Sequence, residues 1–177
     1  MRSGLIEIRD TVLAVAVAIV LALLMRQFVV ETYRVNGESM QPTLQNGERL
    51  LVNKFVFRFQ KPRVGEIIVF HPPLPTNEAY VKRIVAVAGQ TISMQNGYVY
   101  IDGHVQNEPY LPAAWRDHYT LAPLTVPAGD VFVLGDHRAA SEDSRFFPGH
   151  FVPVRSIHGE AVLIWWPPAD FRTLGTA

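Results

Sequence analysis

The sequence predicts a mainly β protein: one N-terminal transmembrane helix, then a β-rich domain of antiparallel sheets. Three observations carry this. Thr11 to Met25 is a run of 15 residues without a charge. Beyond Glu31 come short apolar runs rich in β-branched and aromatic residues, each bounded by Gly, Pro, Asn or Asp. Thirteen prolines and twelve glycines punctuate the chain, which suits many turns and leaves little room for long helices.

The anchor comes first. Fifteen helical residues cover about 22 Å, short of a hydrocarbon core of about 30 Å. The span closes when Phe28-Val29-Val30 are counted and Arg26 snorkels to the headgroups. A cleaved signal peptide would need small residues at a cleavage site, and Val29-Val30-Glu31-Thr32-Tyr33 offers none. A buried core helix is an alternative, but a run apolar on every side suits lipid better. Arg2 and Arg9 precede the run and Arg26 and Arg34 follow it, so charge leaves its orientation undecided.

The strands follow. Leu50 to Val52, Ile67 to Phe70, Val81 to Val87, Tyr98 to Ile101, Val131 to Leu134 and Ala161 to Trp166 read as strands. Asn96-Gly97 and Asp102-Gly103 flank Tyr98 to Ile101 as hairpin turns. Phe55, Phe57 and Phe59 alternate with Val56, Arg58 and Gln60, which reads as a half-apolar strand. Pro72 to Pro75 and Pro109 to Pro112 read as loops.

Composition excludes some functions. Sixteen basic and sixteen acidic residues balance to zero, against a nucleic-acid footprint. Without cysteine there is no disulfide, thiolate metal site or Cys nucleophile. The histidines, at 71, 104, 118, 137, 150 and 158, show no metal-binding spacing and read as loop residues. No metal or other cofactor is expected.

Chemistry concentrates at Ser39 and Lys82. Ser39 stands in Gly37-Glu38-Ser39-Met40-Gln41-Pro42-Thr43-Leu44, and Lys82 in Tyr80-Val81-Lys82-Arg83-Ile84-Val85. A serine hydroxyl needs a base, and a lysine serves only when burial disfavours its charge. On a strand, Ile84 shares the face of Lys82, while Val81 and Arg83 point the other way, Arg83 toward solvent. Spacing alone also fits a turn serine and a solvated lysine.

The motifs add a resemblance. Ser39 to Leu44, just after an apolar anchor, resembles the nucleophile box of type I signal peptidases (leader peptidases, peptidase family S26), in the shorter Gram-positive-like form. Gly65-Glu66-Ile67-Ile68-Val69-Phe70 resembles their Gly-Asp-Ile-Val-Val-Phe box. Tyr80 to Val85 resembles their general-base box. Gly135-Asp136-His137-Arg138-Ala139-Ala140-Ser141-Glu142-Asp143-Ser144-Arg145 resembles their Gly-Asp-Asn-Arg-x-x-Ser-x-Asp-Ser-Arg box. The boxes stand in family order across nearly the whole chain, and Gln95 to Leu111 resembles the short hairpin of smaller members.

The resemblance implies a membrane-bound serine endopeptidase that removes signal peptides from exported preproteins, cutting after small residues. It implies that Ser39 attacks and Lys82 takes its proton. Ser141 matches the serine that orients the lysine, Asp143 and Arg145 a structural ion pair, and Gly135 a close-packed glycine. Two residues apart, Asp143 and Arg145 would share a face of an extended segment; the alternative is a weak surface pair. Tyr33, Val35, Leu44 and Val81 match substrate-pocket residues and read equally well as core. Family topology implies a short cytoplasmic N-terminus (1–9), a single-pass anchor in the cell membrane (10–30) and an extracytoplasmic catalytic domain (31–177) with a small hairpin insertion at about 91–128. Its partners are then preprotein signal peptides, the lipid bilayer and the protein-export machinery, with no nucleic acid and no metal.

There are departures. Some members carry a serine at the position of Gly37 that helps bind the oxyanion; here that task falls to the Ser39 backbone N–H and a further donor. His137 replaces Asn and invites a Ser–His reading, but the matching position is not the base. Glu66 replaces Asp and reads as a turn or surface change. Phe146 and Phe147 and the pair Trp165 and Trp166 read mainly as core, with one Trp free to reach the lipid interface. Two other functions compete. A self-cleaving Ser–Lys regulator would carry a DNA-binding region in place of the anchor. A membrane-tethered β-domain adaptor would need neither Ser39 nor Lys82.

Overall fold

The structure is a computed structural model that describes residues 10–20 and 29–175. Residues 10–20 are helical, and their apolar side chains stand exposed, Val12 and Leu13 by 62%. Among the described residues no helix is long and apolar enough to cross a membrane. The rest of the predicted anchor, residues 21–28, and the N-terminal segment 1–9 lie outside the described residues.

Twelve strands follow: β1 (Val30–Arg34), β2 (Arg49–Asn53), β3 (Ile67–Phe70), β4 (Tyr80–Val87), β5 (Thr91–Gln95), β6 (Tyr98–Ile101), β7 (His104–Val105), β8 (Leu121–Thr125), β9 (Asp130–Leu134), β10 (Val152–Pro153), β11 (Ile157–Trp166) and β12 (Arg172–Thr173). Every pairing among them is antiparallel. The larger sheet runs β1-β2-β11-β3-β4-β9-β10, with β12 on β11. The smaller runs β7-β6-β5-β8. Asn96 and Gly97 turn β5 into β6 with positive φ at both positions, the backbone that such a dipeptide adopts most easily.

Three apolar clusters hold the sheets. One gathers Val35, Met40, Leu44, Leu50, Val52, Ile67 and Val69. A second joins the sheets through Val85, Ala86, Ile92, Met94, Phe132 and Leu134. A third packs Ile68, Phe70, Ile84, Val133 and Phe147. β4 feeds two of these clusters, so both of its faces are covered. Residues Lys82 to Ala86 are all buried in consequence.

Several expectations are corrected. Val56–Arg58 is a 3-10 turn, not a strand. Asn53 Oδ1 accepts from Phe55 N–H at 2.9 Å and Val56 C=O from Phe59 N–H at 3.1 Å, so local turn bonds override the alternation. Arg83 is 2% exposed rather than solvated. Glu66 is buried, and its carboxylate accepts from Arg63 N–H at 2.9 Å. His104 and His158 lie in strands, not loops. Phe147 is buried, but Phe146 and Trp166 are exposed and Trp165 only half-buried.

Candidate active site

Ser39 opens a tight turn after β1. Within it Leu44 N–H donates to Met40 C=O at 2.9 Å, and both side chains are buried. Three contacts brace the turn from outside. His137 N–H donates to Ser39 C=O at 3.0 Å. The Thr43 hydroxyl donates to Asp136. Arg172 donates to Thr43 C=O at 2.7 Å. Gly135 sits so close that a Cβ there would lie 2.5 Å from Ser39 O and 2.2 Å from Ser141 Oγ. No residue with a side chain fits that position without movement.

Lys82 projects from β4, where its backbone pairs with Ile68. Its Nζ lies 2.8 Å from Ser39 Oγ and 3.0 Å from Val81 O. Only 3% of the residue is exposed. Burial pushes the amine down to about 8, against Asp143, Glu142 and Asp136, which favour its charged form. A hydroxyl within hydrogen-bond reach of such an amine can pass it a proton.

The surrounding charges are paired. Arg83 grips Asp136 through two bonds of 2.9 and 2.7 Å, donates to Gly65 C=O and lies on the Tyr110 ring at 3.9 Å. Arg145 grips Asp143 through bonds of 2.7 and 2.8 Å and also meets Asp117. The Asp143–Arg145 pair is therefore buried, and it forms across a turn rather than along an extended segment. Ser141 donates to Asp143 at 2.7 Å, not to Lys82. Gly135 N–H donates to the same carboxylate oxygen at 3.0 Å. Breaking such a buried pair costs about 3–5 kcal/mol.

A cleft of about 290 Å³ opens at Ser39. Tyr33, Val35 and Val81 line it, with Leu50, Val69 and Ala79. Leu44 does not; it is wholly buried in the core beneath. Among the described residues β1 pairs only with β2, leaving its outer edge free. β4 meets β9 only from Arg83 onward, so Tyr80 to Lys82 also present an unpaired edge. Gly37 lies on the cleft with φ +95° and gives its N–H to Asn46. Among the described residues the Ser39 N–H has no acceptor.

The family model described as signal peptidase, peptidase S26, matches residues 8–166. The chain belongs to the signal peptidase family, peptidase S26. It is 40% identical to a probable signal peptidase I-1 of Synechocystis sp., over 96% of this chain and 88% of that one. It is 40% identical to a signal peptidase I of Bacillus amyloliquefaciens, over 92% and 90%. A crystal structure of a signal peptidase I from Enterococcus faecalis matches with a TM-score of 0.50 at 33% identity, over 57% of this chain and 97% of that one.

Two parts of this signal peptidase's site escaped the sequence reading. Glu108, in the β7–β8 loop, is buried, pairs with Arg138 and Arg116 and accepts from Tyr110. Asp117, from the same loop, reaches Arg145. The hairpin insertion thus supplies two carboxylates to the arginines of the Gly135–Arg145 box. On the far side, the Tyr33 hydroxyl lies 2.6 Å from His158 Nδ1, which places Tyr33 in the cleft wall.

Two outcomes are expected. Gly135→Ala lowers the melting temperature and the cleavage rate together, because Ser141 and the Ser39 carbonyl must both retreat; unchanged values in both would contradict the close approach. Lys82→Met stabilises the fold at neutral pH by about 3 kcal/mol. Burial of the ammonium costs stability fully below about 8, and the cost fades to nothing above 10.5, where the unfolded lysine is neutral too. Denaturant melts across that range should show the gain vanish as pH rises; a pH-independent difference would contradict it.

Proposed function

We propose that this chain is a membrane-bound serine endopeptidase that removes signal peptides from exported preproteins through a Ser39–Lys82 dyad. The observation that carries this is the 2.8 Å contact between Ser39 Oγ and a Lys82 amine withdrawn from water. Signal peptidase relatives along nearly the whole chain give the reaction class.

Neutral Lys82 has a lone pair for the Ser39 proton. Ser39 Oγ then attacks the scissile carbonyl, and the carbonyl oxygen becomes an oxyanion beside the free Ser39 N–H. Lys82 returns the proton to the departing amine, leaving the signal peptide as an ester on Ser39. A water, deprotonated by the same lysine, hydrolyses that ester and restores the enzyme. Asp143, held by Arg145, Ser141 and Gly135, keeps the loop behind the base in place. Gly37 supplies no hydroxyl, so the second oxyanion donor is a backbone group or water.

The substrate lies extended between the free edges at β1 and at Tyr80 to Lys82. Val35, Leu50, Val69 and Val81 make walls that admit small side chains and exclude long ones. The apolar side chains of residues 10–20, exposed among the described residues, suit lipid, in keeping with a single-pass anchor that ends ahead of β1 and an outward catalytic domain.

The test offers a preprotein to the outside of right-side-out vesicles, then again after detergent. Wild type should cleave it in both conditions. Ser39→Ala and Lys82→Ala should be folded and inactive in both, with losses of at least about 10³-fold. Undiminished cleavage by either variant would overturn the dyad, and cleavage by wild type only after detergent would overturn the orientation.

A further inference from the structure

Glu142 has no part in the reaction above. It stands between buried Ser141 and buried Asp143, yet its own side chain is exposed. That side chain turns outward onto the cleft, which it lines together with Tyr80. The Tyr80 hydroxyl donates to Glu142 Oε2 at 2.8 Å. The bond joins the start of β4 to the Ser141–Arg145 loop across the mouth of the site. The Tyr80 ring lies 5.2 Å from Lys82 Nζ. Phe70 and Phe147 pack against it, with centroids at 6.5 and 6.4 Å. The ring is thus gripped by two aromatics at its base and tied at its tip by one charge-assisted bond.

We propose that Glu142 is a positioning residue: its bond to Tyr80 clasps that ring against Lys82 and shields the base from water on the open side of the cleft. This rests on the reading of Lys82 as the general base. The clasp has a second effect, because the Glu142 carboxylate, like Asp143 and Asp136, favours the charged lysine, while Arg145 opposes it. Glu78, the remaining acid beside Tyr80, acts on the phenol with Glu142, and the bond to Glu142 holds that hydroxyl up at about 12. Glu142 therefore does two separable things. Its oxygen holds the ring, which shields the amine, and its charge raises the pH at which Lys82 becomes a base.

The two effects predict different kinetics. Glu142→Gln keeps an acceptor oxygen for Tyr80 and removes the charge. Tyr80→Phe keeps the ring and the charge and removes the bond. The experiment measures kcat and kcat/KM against pH on a preprotein, with full-length protein in detergent, for both variants, Glu142→Ala, the Tyr80→Phe/Glu142→Ala double variant and Lys82→Ala. Glu142→Gln should move the acid limb of kcat/KM down by about half a pH unit. Tyr80→Phe should move the acid limb up, because water then reaches the ammonium, and so lower the rate at pH 7 about threefold. In the double variant, the Tyr80→Phe loss should disappear, since the bond is already gone. An acid limb that stays fixed in Glu142→Gln, or a Tyr80→Phe loss that persists undiminished beside Glu142→Ala, would overturn the clasp and leave the dyad standing. Retained cleavage by Lys82→Ala would overturn both.

Discussion

Keeping one ammonium group out of water is the constraint around which this molecule is arranged. A lysine in water is a poor base at neutral pH because it is already protonated. Lys82 is placed differently: β4 is central, both its faces are covered, and Nζ ends beside Ser39. Desolvation favours the neutral amine, while three nearby carboxylates pull the other way. Desolvation wins, but the carboxylates limit the shift. The balance brings the amine down to about 8, within the range in which an amine can both accept and return a proton.

Two of these carboxylates stand close without forming ion pairs to the lysine because arginines occupy them, and the third, Glu142, accepts from Tyr80. Arg83 takes Asp136 and Arg145 takes Asp143, each by two bonds. These pairs also tie the chain together. Arg83 and Asp136 join β4 to the loop after β9, and Thr43 joins that pair to the Ser39 turn. Asp117 draws the β7–β8 loop onto Arg145, and Glu108 draws it onto Arg138. The smaller sheet is fastened to the site by charge as well as by the shared apolar cluster.

Much of this was legible in the sequence, for physical reasons that differ by residue. Ser39 and Lys82 stood in motifs whose order restricts the chemistry. The strands Ile67–Phe70 and Tyr98–Ile101 were legible because β-branched and aromatic runs between turn residues have few other uses. Arg83 was misread because alternation assigns neighbours to opposite faces but does not say that both faces are buried. Phe55 to Phe59 was misread because alternation follows side chains alone, while the backbone bonds to Asn53 Oδ1 and Val56 C=O close a turn in spite of it. Glu108 and Asp117 were not found because loop residues have no period. Their partners become visible only when the sheets are assembled. β1 was hidden beside the apolar run, its polar Glu31 and Arg34 giving too short an alternation to stand apart.

The central claim is that Lys82 is the residue whose proton is displaced by burial, and it can be measured without catalysis. The chain has only three lysines, at 54, 61 and 82. An NMR titration of isotope-labelled lysine side chains in the full-length protein, assigned with Lys82→Ala, reads each one separately. The Lys82 resonance should titrate with a midpoint near 8. A Lys82 midpoint at the ordinary value of 10.5 would contradict the account, because such an amine has almost no lone pair to offer Ser39 at neutral pH.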